Sequence, residues 1–111
     1  MLKEKIIYQV WILGLDKHGS WTGFDYLVED YSVNRAKAEI LFDHLIQDER
    51  KISDILMEHD SEFQIPDDPK LEQFELNIEE VTVELDDEDE DYYEELETNI
   101  IKEFIINKED F

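Results

Sequence analysis

The sequence predicts an α+β fold in the order β-β-α-β-α, with an antiparallel sheet of about three strands and helices packed on one face. Three observations carry this. Residues 6–13 and 21–28 are rich in β-branched and aromatic side chains and flank a turn-forming stretch. Residues 33–59 repeat apolar side chains at helical spacing with no glycine or proline between Ser32 and Ser61. Residues 71–85 alternate once more, and residues 90–106 return to a helical stripe. A chain of 111 residues, 41% hydrophobic and 12% aromatic, is expected to fold as one domain, 1–111.

In chain order, the run Ile6-Ile7-Tyr8-Gln9-Val10-Trp11-Ile12-Leu13 reads as a central strand. Lys3 and Lys5 before it give a faint likeness to a signal peptide, but Glu4, Gln9 and the lack of a small-residue cleavage site favour a strand. Asp16 and Gly19 are turn formers. The next strand puts Thr22, Phe24, Tyr26 and Val28 on one face and Trp21, Gly23, Asp25 and Leu27 on the other, so the two runs should pair as a hairpin.

Ser32 is the expected N-cap of a helix starting at Val33. Val33, Ala36, Ile40, Leu41, Leu45 and Ile46 form its stripe, continued by Ile52, Ile55, Leu56 and His59, as one long helix or as two broken near residues 48–51. Phe63-Gln64-Ile65 is a short strand or a link, and Pro66 and Pro69 impose a loop. Phe74, Leu76 and Ile78 alternate, as do Val81, Val83 and Leu85 one residue out of phase, which predicts a bulge or bend at Glu79-Glu80. Tyr93, Leu96, Ile100 and Phe104, flanked by Ile101 and Ile105, predict the last helix, with acids toward its N-terminus and Lys102 and Lys108 toward its C-terminus.

Charge is the dominant functional signal. The formal net charge is −22. Residues 1–50 hold nine acids against six Lys/Arg, a net of −3, and residues 51–111 hold twenty-three against four, a net of −19. The concentration peaks at residues 86–97, where Asp86, Asp87, Glu88, Asp89, Glu90, Asp91, Glu94, Glu95 and Glu97 surround Tyr92 and Tyr93 with no basic residue. Coiled as a helix, these twelve residues would carry roughly one charge per 2 Å, near the duplex DNA value of about 1.7 Å. Extended, they would carry roughly one per 4 Å, nearer a single strand at about 3.4 Å. Repulsion argues against nucleic acid or an anionic membrane as direct partners and for the basic surface of a nucleic-acid-binding protein, with Tyr92 or Tyr93 stacking on an arginine.

Other chemistry finds little support. With no cysteine there is no disulfide or thiol chemistry. Asp87, Asp89 and Asp91 give the D-x-D-x-D start of a calcium loop, but Tyr92 stands where the loop needs glycine and Thr98 where it needs glutamate. His18, His44 and His59 are scattered, although His44 and Asp48 lie at i,i+4. Lys17-His18-Gly19-Ser20 lacks the spacing of a phosphate loop, and the serines lack a nucleophile elbow. We therefore expect no catalytic residues, no metal site, no cofactor, no membrane span and a cytoplasmic location.

In its length, its net charge and the acidic run 86–97 with its embedded tyrosines, the chain resembles the small acidic DNA-mimic proteins that phages and mobile elements use against host defences, of the anti-CRISPR or anti-restriction type. The resemblance implies a stoichiometric inhibitor whose acids stand in for phosphates in the DNA- or RNA-binding groove of a nuclease or CRISPR effector. Asp67, Asp68, Glu79 and Glu80 would add to the surface. The alternative is an acidic immunity protein or antitoxin that neutralises a basic toxin. Neither reading defines an oligomeric state.

A native state that crowds so many acids is opposed by its own charge, so added salt should raise the melting temperature by screening. Thermal melts between low and moderate salt test this, and a flat or falling melting temperature counts against it.

Overall fold

The computed structural model describes residues 3–32, 34–85 and 93–111. Among them are four strands and two helices: β1 (Lys3–Leu15), β2 (Trp21–Ser32), α1 (Arg35–Gln47), α2 (Ile52–His59), β3 (Gln73–Leu85) and β4 (Tyr93–Asn107). The strands form one antiparallel sheet in the order β2-β1-β3-β4. The class is α+β, with one strand more than the sequence predicts and the order β-β-α-α-β-β. Fifteen residues of strand reach about 50 Å, which accounts for the 49 Å long axis of the molecule. Among the described residues no helix is long and apolar enough to cross a membrane.

The first hairpin forms as expected. Asp16 closes its turn, the carboxylate accepting from the main-chain N–H groups of His18 (2.8 Å) and Ser20 (2.9 Å), while Gly19 supplies a φ of 79°. A register irregularity between Leu13 and Leu15 is absorbed on β2 at Gly23, whose φ of 100° few other residues tolerate. Phe24, Tyr26 and Val28 turn toward the core while Trp21 and Leu27 stay exposed.

The helical segment is two helices. At Asp48 the backbone turns extended, and the Asp48 carboxylate takes up the main-chain N–H (2.8 Å) and guanidinium of Arg50, so the chain leaves α1 before α2 begins. The N-cap is Asn34, not Ser32: Ser32 remains in β2 opposite Ile7, and the Asn34 side chain accepts from the Lys37 N–H at 3.1 Å. Val33 lies outside the described residues. The buried stripe of α1 is Ala38, Phe42 and Leu45, whereas Ile40 is 69% exposed. In α2 Ile52, Ile55 and Leu56 are buried as expected.

Residues 93–107 are a strand, not part of a helix. The expected stripe has a structural origin: Leu96 and Ile101 are extra residues in the β3–β4 ladder, since Thr82 pairs Glu97 and Val83 pairs Glu95, while Ile78 pairs Lys102 and Glu79 pairs Ile100. Two bulges break the alternation that would have announced a strand. The backbone of β3 needs a partner on its open side, and the β-branched residues 98–106 supply it. The predicted bulge at Glu79-Glu80 is likewise absent from β3, whose register with β1 runs unbroken from Lys3–Leu85 to Leu15–Gln73. The slip at that level lies in β4 at Ile101.

An unbroken β3 sends its two apolar sets to opposite faces. Phe74, Leu76 and Ile78 join Val10 and Ile12 of β1 under both helices, while Val81 and Val83 form a smaller cluster with Ile7 on the other face. Phe111 completes the main core: its ring stacks on Phe74 at 3.9 Å between centroids, and its main-chain oxygen accepts from the Ser53 N–H at 2.8 Å. Lys102 ties β4 to α1, donating to Asp43 at 2.8 Å with its ammonium 5.0 Å from the Phe42 ring.

Phe111 is 1% exposed. Phe111→Ala should therefore cost about 3–5 kcal/mol in urea denaturation. A loss below about 1 kcal/mol would mean that the ring is dispensable to the core.

Candidate functional site

Of the residues expected to meet a partner, Asp86, Asp87, Glu88, Asp89, Glu90, Asp91 and Tyr92 lie outside the described residues. Tyr93 opens β4; Glu94, Glu95 and Glu97, which follow it, are exposed, on a strand that among the described residues pairs with β3 alone. They do not share one helical surface. Register places Glu94 opposite Glu84 and Glu97 opposite Thr82, on the helix side, while Glu95 faces away opposite Val83. Glu79 and Glu80 are also divided between the two faces. Asp68 is used locally, its carboxylate accepting from the Lys70 N–H at 2.9 Å.

Acids also line the sheet face that carries no helix among the described residues. Alternation puts Asp25 and Asp30 of β2, Glu75 and Glu79 of β3, and Glu95 and Glu103 of β4 on this face. Neighbouring strands lie about 4.8 Å apart and alternate residues about 6.6 Å apart. Lys3 and Lys5 stand at one end, near Val83 and Leu85. The ion pairs among the described residues all lie on the other side: Arg35–Glu39 (3.3 Å), Arg50 with Asp48 (3.2 Å) and Glu58, and Lys102–Asp43 (2.8 Å).

A polar network runs beneath these acids. The Trp11 indole donates to the Gln9 side-chain oxygen at 3.0 Å, and the Gln9 amide reaches Asp30 at 3.5 Å. The Asn77 amide donates to Glu75 at 2.8 Å. Asn77 is fully buried, and its Oδ1 has no donor. A buried acceptor left in that condition costs about 1–3 kcal/mol.

The proximity of the acids registers at Glu79. Burial, and then the carboxylates of Glu95, Glu75 and Asp25, push its carboxyl above the ordinary range. Asp48 goes the other way, held low by the Arg50 guanidinium, as does Asp16, held low by the N–H groups of Ser20 and His18.

A second feature is a cavity of about 450 Å³ between β2 and the two helices. Val28, Leu41, Leu45, Ile55 and Leu56 form its apolar wall, and His44, His59, Glu29 and Asp60 its polar edge. The Tyr26 hydroxyl donates to Asp60 at 2.9 Å, and burial followed by that bond raises its pKa. Burial also raises Tyr31, with help from Glu29. His44 and His59, fifteen positions apart in two helices, meet at this one cavity, a juxtaposition that no spacing in the sequence announces. Among the described residues no three His, Asp or Glu side chains converge to hold a metal ion.

No family model, curated protein or solved structure matches the chain.

The raised Glu79 fixes the sign of a pH effect. The folded state keeps this proton at a pH where the unfolded chain has lost it, so the group's contribution to stability falls as pH rises through that window. Glu79→Gln should therefore melt above the parent near pH 7, and the difference should close as pH is lowered and the parent's carboxyl is protonated. A lower melting temperature for the variant near pH 7 would mean that the Glu79 carboxylate is held by a donor.

Proposed function

We propose that the protein is a non-catalytic cytoplasmic inhibitor that presents carboxylates in place of nucleic-acid phosphates and blocks the DNA- or RNA-binding groove of a host defence nuclease, a CRISPR effector or restriction enzyme. The observation that carries this reading is the uneven charge, a net of −19 over residues 51–111. Its acids on the helix-free face have no ion-pair partners among the described residues.

The extended backbone of β4 speaks for the lower of the two charge densities. Glu94, Glu95 and Glu97 occupy four residues of strand, roughly 13 Å, or near one charge per 4 Å against about 3.4 Å along a single nucleic-acid strand. As β4 lies at the sheet edge, a groove closing around it would meet carboxylates on both faces. Asp86 to Asp91 would serve as further phosphate surrogates, with Tyr92 or Tyr93 stacking on an arginine of the groove.

The test is capture from host lysate at low salt, followed by elution with competing DNA and then with high salt. A nuclease released by both supports the reading. Retention of a small basic protein that resists both would favour the immunity-protein alternative and overturn this one. Substituting Asp86 to Asp91 with Asn or Ser, and separately Glu94, Glu95 and Glu97 with Gln, should leave the domain folded and lower affinity step by step with the charge removed. Abolition by one or two of these substitutions would point to catalysis instead.

A further inference from the structure

The buried Oδ1 of Asn77 lies in the middle of the helix-free face. Glu75 and Glu79 flank it on β3 and share its face. Trp11 of β1 and Glu103 of β4 stand directly opposite on either side. Asn77 is 0% exposed, and its own amide is taken by Glu75. The unsatisfied atom is thus an acceptor surrounded by carboxyl groups, and an ionised carboxylate offers no hydrogen. Besides water, the group best suited to satisfy it brings donors and carries positive charge, which these acids attract.

The surroundings discriminate among cations. A divalent ion would want several carboxylates at ligating distance, and no such group forms among the described residues. An ammonium is a compact point charge on a flexible stem. A guanidinium is planar, offers five hydrogens in a fixed fork and stacks on aromatic rings. Trp11 provides such a ring, and its Nε1–H is already bound to Gln9, which holds the indole in place. Glu103 beside Asn77 is exposed, and exposed side chains change rotamer within nanoseconds, so the approach can open.

We propose that this spot receives an arginine side chain of the basic partner, its guanidinium donating to Asn77 Oδ1 and to the carboxylates of Glu79 and Glu103 while its plane rests on Trp11. This rests on the mimic reading and adds a particular anchor to it. A phosphate surrogate surface is tolerant of where each cation lands, whereas a seat over Asn77 is stereospecific and selects arginine over lysine.

The experiment needs no partner. N-acetyl-arginine amide, N-acetyl-lysine amide and calcium are each titrated into the full chain at low salt, while NMR follows the Asn77 side-chain amide and the Trp11 indole. The Trp21 indole, at the far end of the face, serves as the reference. Arginine should shift Asn77 and Trp11 saturably, at about tenfold lower concentration than lysine. Asn77→Leu should abolish the saturable shift at Trp11 while raising the melting temperature, because it removes the orphaned acceptor. Glu103→Gln, at an exposed position, should weaken arginine binding without changing the fold, and it covers the case in which Asn77→Leu does not fold. Equal, unsaturated shifts for arginine and lysine would overturn the proposal, as would an unmoved Asn77 amide, which would mean that water satisfies Oδ1. Saturation by calcium at lower concentration would also overturn it, in favour of a metal site. Arginine binding without DNA-competed nuclease capture would sink the mimic reading alone, and capture without arginine selectivity would sink this anchor alone.

Discussion

The ladder between β1 and β3 is the constraint from which the other features follow. It runs from Lys3–Leu85 to Leu15–Gln73 without a slip. Each strand has thirteen residues, and a register held that long leaves side-chain direction no freedom. Phe74, Leu76 and Ile78 must point one way, and Val81 and Val83 the other. The first set defines where α1 and α2 pack. The second gives the opposite face its own apolar cluster with Ile7, so that face is neither a bare polar surface nor a second full core. The irregularities that a twisted sheet of this length needs are displaced to its outer strands, at Gly23 and Val28 of β2 and at Leu96 and Ile101 of β4.

The same ladder organises the charge. Strand alternation spaces Glu75 and Glu79 about 13 Å apart along β3 with Asn77 between them, and brings Glu103 and Glu95 alongside from β4. The cations that pair with acids belong to the helical half: Arg35 and Arg50 are on or beside α1, and Lys102 reaches across to Asp43. The ion pairs among the described residues thus lie on the helical side, and the acids of the helix-free face take part in none of them. Glu79 feels the difference most, since it is half-buried among three other carboxylates and retains its proton to higher pH than a solvated glutamate would. A basic partner would relieve that repulsion and the orphaned Asn77 acceptor together, which is why we look to this face for the interaction.

What local sequence determines was legible. Asp16 and Gly19 make a turn by contacts within five residues. Phe24, Tyr26 and Val28 announce a half-buried strand by alternation, and Ile52, Ile55 and Leu56 a helix by spacing. The departures come where two local solutions compete. Asn34 and Ser32 are both good caps, and pairing of Ser32 with Ile7 settles the choice. In α1 the stripe through Ile40 and the stripe through Ala38, Phe42 and Leu45 are both helical, and the position of the sheet decides which is buried. The acidic surface was legible as composition and only partly as location: Glu95 lies on the helix-free face, but Asp25, Asp30, Glu75 and Glu103, which join it there, stand in no charge run.

By itself, then, the sequence determined the α+β class, the first hairpin and its faces, the proline loop and the concentration of negative charge in the second half, because each depends on residues near one another in the chain. Tertiary structure alone decided that residues 93–107 are a strand, that the two apolar sets of β3 serve opposite faces, and that Asn77, Trp11 and Glu103 meet. The physical reason is common to all three. The hydrogen bonds of a strand are completed by another segment, so its pairing, its bulges and its cross-strand neighbours are properties of two stretches of chain at once.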